Sequence, residues 1–396
     1  MADDVSSDLP TDILVDILVR LPTSARRRFR LVCKRWRDVI DERTAERQVR
    51  TKILVFNSKP QSSRVLVFGD EDRRRMHEWT YGSAFSWGRV DMVGTSNGLI
   101  CLHDSSYGDR STITIANPIT GEALALPPVP RVRNSTGSFG SYGFGYHPTT
   151  GQYKVVHVPS CVSLRPDTVH VLTLGCSVWR KAVPSMADVT YYDCSGGVVC
   201  ADGSAYWFSL SGNRVVALDL KDERLTSFPG PPGMRSIGVA SEASFKLTSV
   251  NARLGVVFPS YKPATTRVVV WILDGGGEEQ PRWSRRYTLI DRTTGSLIVL
   301  TPHLTHGKDI LTMSRDMDGL YRHKVGDCTD VDDGRTAQLV LSEGIELIIS
   351  EEEGNIRTFA YVETQEPLPI VRESRSQKGK KKKLGQSQSI SFHRIK

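Results

Sequence analysis

Residues 96–102, SNGLICL, set a Ser-Asn-Gly turn directly before a run of apolar side chains, the pattern of a tight turn feeding a buried strand. The same device returns as GQYKVVHV at 151–158, DGSAYWF at 202–208, NARLGVVF at 251–258 and GKDILTM at 307–313. Turn positions fall near 98, 152, 203, 254 and 308, at intervals of 54, 51, 51 and 54 residues. Each is followed by further strand-like runs and often by an aromatic or Leu-Pro step, as in IANPITGEALALPP, SVWRKAVP, LDLKDERLTSFPGPP and PRWSRRYTL.

A period of roughly 50 residues is that of kelch-like blades. A lone four-stranded blade leaves both faces uncovered, whereas blades stacked radially cover one another and leave only short edges. The spacing predicts a mainly β body over residues 51–371, a kelch-like β-propeller of about six blades, with an open array of sheets as the alternative. Ring closure calls for pairing between the chain's ends, here the early KILVF and RVLVF runs with the late IELIIS and IRTFAYV runs. Trp79, Trp87, Trp179, Trp207, Trp271 and Trp283 recur through the body with rough regularity, which suits blade packing.

Upstream, residues 9–40 read LPTDILVDILVRLPTSARRRFRLVCKRWRDVI, without a single glycine. Ile13, Leu14, Ile17, Leu18 and Leu21 follow helical spacing, with Pro10 at the start, Asp12 and Asp16 toward the positive end, and Pro22 as terminator. Thr23 or Ser24 is placed to cap a second helix, in which Phe29, Val32, Cys33, Trp36 and Val39 return at spacing three to four. Two or three short helices over residues 9–45 form a unit too small to be stable alone, so its apolar side chains must meet another surface. Residues 1–8, acidic and without an apolar core, are expected to be disordered.

The formal net charge of +8 comes from the end of the chain: residues 372–396 hold nine Lys or Arg against Glu373, leaving 43 of each sign elsewhere. A neutral body carries no blanket attraction for nucleic acid or an anionic membrane. The tail itself should be disordered, and Lys378, Lys380, Lys381, Lys382 and Lys383 form a candidate nuclear import signal. Seven cysteines without a C-x-x-C pair indicate neither a zinc knuckle nor a disulfide lattice. No run approaches the roughly 18 apolar residues that cross a bilayer, so the expected location is cytoplasmic, nuclear or both.

Catalytic signatures are missing from the reading. Gly140, Gly143 and Gly145 lack the helix a phosphate loop needs, and are read as a turn of small residues. His303 and His306 stand in a Thr-Pro-His-Leu-Thr-His loop without neighbouring Cys or carboxylates. The nine histidines are scattered singly. No catalytic, cofactor-binding or metal residue is assigned.

The order Leu9-Pro10, Ile13-Leu14, Ile17-Leu18, Leu21-Pro22, Phe29-Arg30, Val32-Cys33-Lys34 and Trp36 resembles the F-box. That resemblance implies binding of a Skp-type adaptor, and through it a cullin-RING ubiquitin ligase, by Leu9, Pro10, Ile13, Leu14, Ile17, Leu18, Leu21, Pro22, Phe29, Val32, Cys33 and Trp36. Arg26 and Arg27 depart from the small or apolar run usual at that place. SNGLICL, NPITGEALALPP, YGFGYHPTTGQYKVV, VWRKAV and GSAYWF, over roughly residues 90–290, resemble the plant F-box-associated domain. The two together imply a non-catalytic, SCF-type substrate-recognition adaptor whose β domain recruits a target protein for ubiquitination. A ligand- or glycan-binding propeller acting outside a ligase is the alternative.

Overall fold

The computed structural model describes residues 9–21, 25–26, 29, 32–43, 52–59, 62–69, 75–82, 89–105, 111–130, 140–159, 168–182, 192–193, 197–209, 213–234, 245–250, 253–262, 265–274, 281–291, 302–306, 309–313, 319–324, 331–332, 336–341, 345–350, 355–365, 367–368 and 393–394. Helix α1 (Thr11–Arg20) starts at Pro10 and stops at Leu21, which is extended ahead of Pro22. Helix α2 (Lys34–Glu42) is capped by Cys33, whose Sγ accepts from the Trp36 N–H at 3.5 Å.

The set Phe29, Val32, Cys33, Trp36 and Val39 therefore does not ride one helix, as its spacing suggested. Ala25, Arg26 and Phe29 are helical, Val32 is a turn and Cys33 is extended, so the chain breaks before α2 begins. Thr23 and Ser24, the expected caps, lie outside the described residues. Leu14, Leu18, Val39 and Ile40 form the core of this module, with Leu21, Phe29 and Trp36 packed against it.

Strand formation follows the repeat. Blade 1 contains β1 (Lys52–Ser58), β2 (Ser62–Phe68) and β3 (Arg75–Gly82); blade 2, β4 (Val90–Ser96), β5 (Leu99–Asp104), β6 (Thr112–Ala116) and β7 (Ala123–Ala125). Blade 3 contains β8 (Gly140–His147), β9 (Gln152–Pro159), β10 (His170–Thr173) and β11 (Arg180–Lys181). In blade 4 are β12 (Tyr192–Asp193), β13 (Val199–Ala201), β14 (Ser204–Ser209), β15 (Arg214–Asp219) and β16 (Leu225–Pro229). Blade 5 has β17 (Lys246–Val250), β18 (Arg253–Lys262), β19 (Thr265–Asp274) and β20 (Arg282–Asp291). A further sheet holds β21 (Pro302–His306), β22 (Asp309–Met313) and β23 (Gly319–Lys324). Beyond these, β24 (Val331–Asp332) and β25 (Thr336–Leu341) extend blade 5, where β25 joins β20 in parallel. Strand β26 (Ile345–Ser350) completes the further sheet, and β27 (Asn355–Tyr361) returns to blade 1 beside β1.

The sequence repeat is thus the hairpin between the innermost strand and its neighbour. Asn97-Gly98 and Asp202-Gly203 both have positive φ at their two residues, the geometry that matches the twist of a two-residue hairpin. Strands β4, β8, β13, β17 and β21 touch in succession, and β27 bridges β21 and β4, so the ring is closed. Buried side chains are described in each of blades 1 to 5, in blade 5 on β17, β18 and β19; the sheet of β21, β22, β23 and β26 is described by its pairing and by Leu320, which joins the core of blade 1.

Closure pairs IRTFAYV with KILVF as expected, but IELIIS is β26 and pairs β23 instead. After β27 the chain crosses blade 2, where Asn117 Nδ2 donates to Thr364 O at 3.1 Å and Leu368 N to Glu122 Oε2 at 2.9 Å. The tail lies outside the described residues except His393–Arg394, strand β28, which pairs β3. Its five lysines are therefore not placed. Among the described residues no helix is long and apolar enough to cross a membrane.

Cores sit between blades rather than within them. Val156, Val158 and Val171 of blade 3 face Trp207, Val216 and Leu218 of blade 4, and Met92, Ile100 and Leu102 of blade 2 face Leu54, Phe56 and Trp79 of blade 1. The Pro steps of the sequence serve the same junctions: Trp179 Nε1 donates to Pro127 O and Trp283 Nε1 to Pro229 O, each at 3.0 Å and each from one blade to the one before. Trp79, Trp179 and Trp207 are buried, while Trp271 and Trp283 are half-buried.

Gly140, Gly143 and Gly145 are not in a turn. They lie in β8, where a Cβ on Gly143 would stand 2.6 Å from Val198 Cγ1 and one on Gly145 2.9 Å from Leu220 Cδ1. Glycine here lets blades 3 and 4 approach. Gly143→Ala is accordingly expected to lower the unfolding free energy by about 1–3 kcal/mol, read as a lower urea midpoint at unchanged slope.

Candidate interaction surfaces

The helical module has one face more than it uses. Leu14 and Leu18 are 2% and 0% exposed, whereas Leu9, Ile13, Ile17 and Val32 are 42%, 50%, 43% and 59% exposed. On α1 the apolar stripe is wide enough to fill the module's interior with one edge and present the other to solvent. Phe29 and Trp36 hold the turn between helices, with ring centroids 5.2 Å apart, and Asp12 reaches Arg43 across the pair at 3.5 Å.

The twelve sequence-predicted residues thus separate by position. Leu14 and Leu18 are interior; Leu21, Phe29, Cys33 and Trp36 are half-buried; Leu9, Pro10, Ile13, Ile17 and Val32 are exposed; Pro22 lies outside the described residues. Arg26 is half-buried, and its Nε–H meets no acceptor among the described residues.

The ring offers two ends. At one, hairpin turns such as Asn97-Gly98 and Asp202-Gly203 are tight. At the other, where β4, β8 and β17 begin and β5 and β9 end, the connections are longer: 10 residues separate Pro159 and His170, with longer spans leading into β8 and β17. Variable binding chemistry belongs on long loops carried by a rigid frame.

That end also gathers histidines that the sequence scatters. His157 on β9 lies beside Tyr142 on β8 and His170 on β10 in register, and His103 of blade 2 completes the row. Ring centroids are 4.5 Å apart for His103–Tyr142, 4.9 Å for Tyr142–His157 and 6.1 Å for His157–His170. Burial, then the neighbouring His170 and His103, hold His157 down to about 3 from the usual 6.5, and burial lowers His103 and His170 as well. His303 and His306 lie on strand β21 and not in a loop; no group of three or more metal-type side chains occurs among the described residues.

The low pKa of His157 has a stability consequence with a definite sign. Between about 3 and 6.5 the unfolded imidazole binds a proton that the folded one refuses, so stability is complete above 6.5 and falls as pH drops toward 3. Urea unfolding is expected to give a lower midpoint at about pH 5 than at about pH 7.5. In His157→Phe, the difference should shrink.

A helical module with a solvent-facing apolar strip, joined in sequence to a closed ring of blades, defines a two-part interaction protein. Residues 6–44 match the F-box domain and residues 46–323 the F-box associated beta propeller domain, and the chain belongs to that family of F-box proteins. F-box protein At3g07870 of Arabidopsis thaliana is 24% identical over 314 residues, covering 71% of this chain and 72% of its own length. Putative F-box protein At1g53370 of the same plant is 26% identical over 325 residues, covering 77% and 78%. Among solved structures, the nidogen/laminin complex aligns with a TM-score of 0.37 at 10% identity, over 69% of this chain and 89% of that one. The β-propeller domain of Cps50 (Swd1) from Myceliophteria thermophila aligns with a TM-score of 0.36 at 11% identity, over 68% and 79%.

Proposed function

We propose that the chain is the substrate-recognition subunit of an SCF-type cullin-RING ubiquitin ligase, with the F-box seated on a Skp-type adaptor and the propeller holding a target protein. The observation that carries this reading is the exposed apolar strip Leu9, Ile13, Ile17 and Val32 on a module whose interior is already filled by Leu14, Leu18, Val39 and Ile40. An amphipathic helix with a second apolar edge is the form that lies in a hydrophobic groove.

No residue of this chain need perform chemistry in that role. A target held beside a charged conjugating enzyme experiences a high effective concentration, and ubiquitin transfer becomes in effect intramolecular. Specificity then rests with the propeller and rate with the other subunits.

The test is capture of a purified Skp-type adaptor, followed by a cullin scaffold, on the immobilised full chain. Wild type should retain both in stoichiometric amount, and Val32→Asp, which puts a charge into the apolar strip, should retain neither. A folded wild type that captures no adaptor would overturn the proposal.

A further inference from the structure

The channel at the centre of the ring is lined by the innermost strands, and two of them bring cations to the end where these strands begin. Lys246 is the first residue of β17 and Arg357 the third of β27. Arg357 is exposed while its neighbours Ile356 and Thr358 are buried, although β27 is enclosed by the rest of the ring; an exposed side chain at that place faces the channel. Its guanidinium is held, with NH1 donating to Met92 O at 2.9 Å and the group lying 5.4 Å over the Phe359 ring. Such a cation is fixed in place before any ligand arrives, which lowers the ordering cost of binding.

The nearby carboxylate is already engaged. Asp91 on β4 takes a hydrogen bond from Arg89 Nε at 3.0 Å. Arg89 is thereby engaged with Asp91, whereas Lys246 and Arg357 have no ion-pair partner among the described residues; Glu351, Glu352 and Glu353, which precede β27, lie outside them. Burial and then Arg357 lower the Lys246 pKa, and the protein that surrounds the Arg357 guanidinium lowers its pKa although the side chain is open to the channel. An anion would relieve both, and low-dielectric walls focus the field on whatever enters.

We propose that the channel mouth marked by Lys246 and Arg357 binds an anionic side chain, carboxylate or phosphate, carried on an extended segment of the target. The proposal deepens the target-recruiting reading and rests on it. Arg357 supplies geometry, since its planar fork suits either oxyanion, and Lys246 supplies a second, mobile charge. Segments that carry a single acidic or phosphorylated residue between uncharged neighbours match a site marked by two cations better than dense acidic runs do.

The test uses the full chain and three fluorescein-labelled polyglycine peptides of equal length that differ only in one central residue, Glu, phosphoserine or Gln, with binding read by anisotropy. Wild type should bind the first two and not the third, and whichever binds tighter assigns the natural group as carboxylate or phosphate. Lys246→Glu should weaken both by about tenfold or more, and Arg357→Lys should weaken them less. Lys221→Glu makes the same change of net charge on an exposed turn at the opposite end of the ring and should leave affinity unchanged, which separates the mouth from the basic tail.

Equal binding by wild type and Lys246→Glu, or equal losses in Lys246→Glu and Lys221→Glu, would overturn the proposal. Lys246→Gln, which removes the charge without reversing it, repeats the comparison if the melting midpoint of Lys246→Glu falls. Glu351–Glu353 are unchanged in every variant, so their charge is constant across the comparison. Adaptor capture on the same variants should stay at the wild-type level; failure of capture in all of them would remove the ligase reading and leave the peptide result standing.

Discussion

Glu223→Gln is expected to destabilise the propeller by about 3–5 kcal/mol, because it strands a buried cation. Lys154 lies on β9 at 1% exposure, and its Nζ donates to Glu223 Oε1 at 2.7 Å from the β15–β16 turn of the next blade. Arg180 of β11 donates to the same oxygen, and also to Thr173 Oγ1 at 2.8 Å. One carboxylate therefore ties two cations of blade 3 to blade 4. An ion pair in this setting gains little over an apolar pair, but removal of one partner leaves the other charge with neither water nor counter-ion.

The backbone adds a constraint on how to make the change. Glu223 has φ of +60°, a conformation that side chains with a Cβ rarely adopt, so the turn holds a strained residue in place for its carboxylate. Glutamine keeps the strain and the volume and removes only the charge. Urea unfolding of Glu223→Gln against wild type reads the loss, and Lys154→Met combined with Glu223→Gln should recover most of it. A loss below about 1 kcal/mol in the single variant would mean that Lys154 finds another partner, and would reduce the bridge to a surface contact.

This bridge shows where sequence reading stops. The hairpin repeat at 98, 152, 203, 254 and 308 was legible because an innermost hairpin needs a turn and an apolar strand in adjacent residues, both local properties. Lys154 and Glu223 are 69 residues apart and meet only once two blades are stacked. His103, His157 and His170 look solitary for the same reason, since they align through strand register and blade contact rather than through spacing. Gly143 and Gly145 resembled a turn because glycine marks both turns and close approach, and only the position of Val198 and Leu220 separates these uses. In the helical module, period alone grouped Ile13 with Leu14 and Ile17 with Leu18, and which of each pair points inward was decided by where α2 docks.

That separation makes the second large effect one of binding and not of folding. Ile13→Ala combined with Ile17→Ala should weaken adaptor capture by roughly a thousandfold, if each exposed anchor contributes about 2 kcal/mol or more as interface hot spots do. Both side chains are about half exposed in the free chain, so the melting midpoint and the hydrogen-exchange protection of α1 amides should hardly move. Leu14→Ala and Leu18→Ala reach the same loss of capture by another route. Each empties part of the module's interior, at about 2–5 kcal/mol for a buried leucine, and α1 should lose protection before any adaptor is added. The two pairs therefore differ in exchange and agree in capture. A double isoleucine variant that still captures the adaptor at wild-type affinity would show that the exposed edge of α1 serves another partner, and would leave Trp36, Phe29 and Val32 to carry the contact.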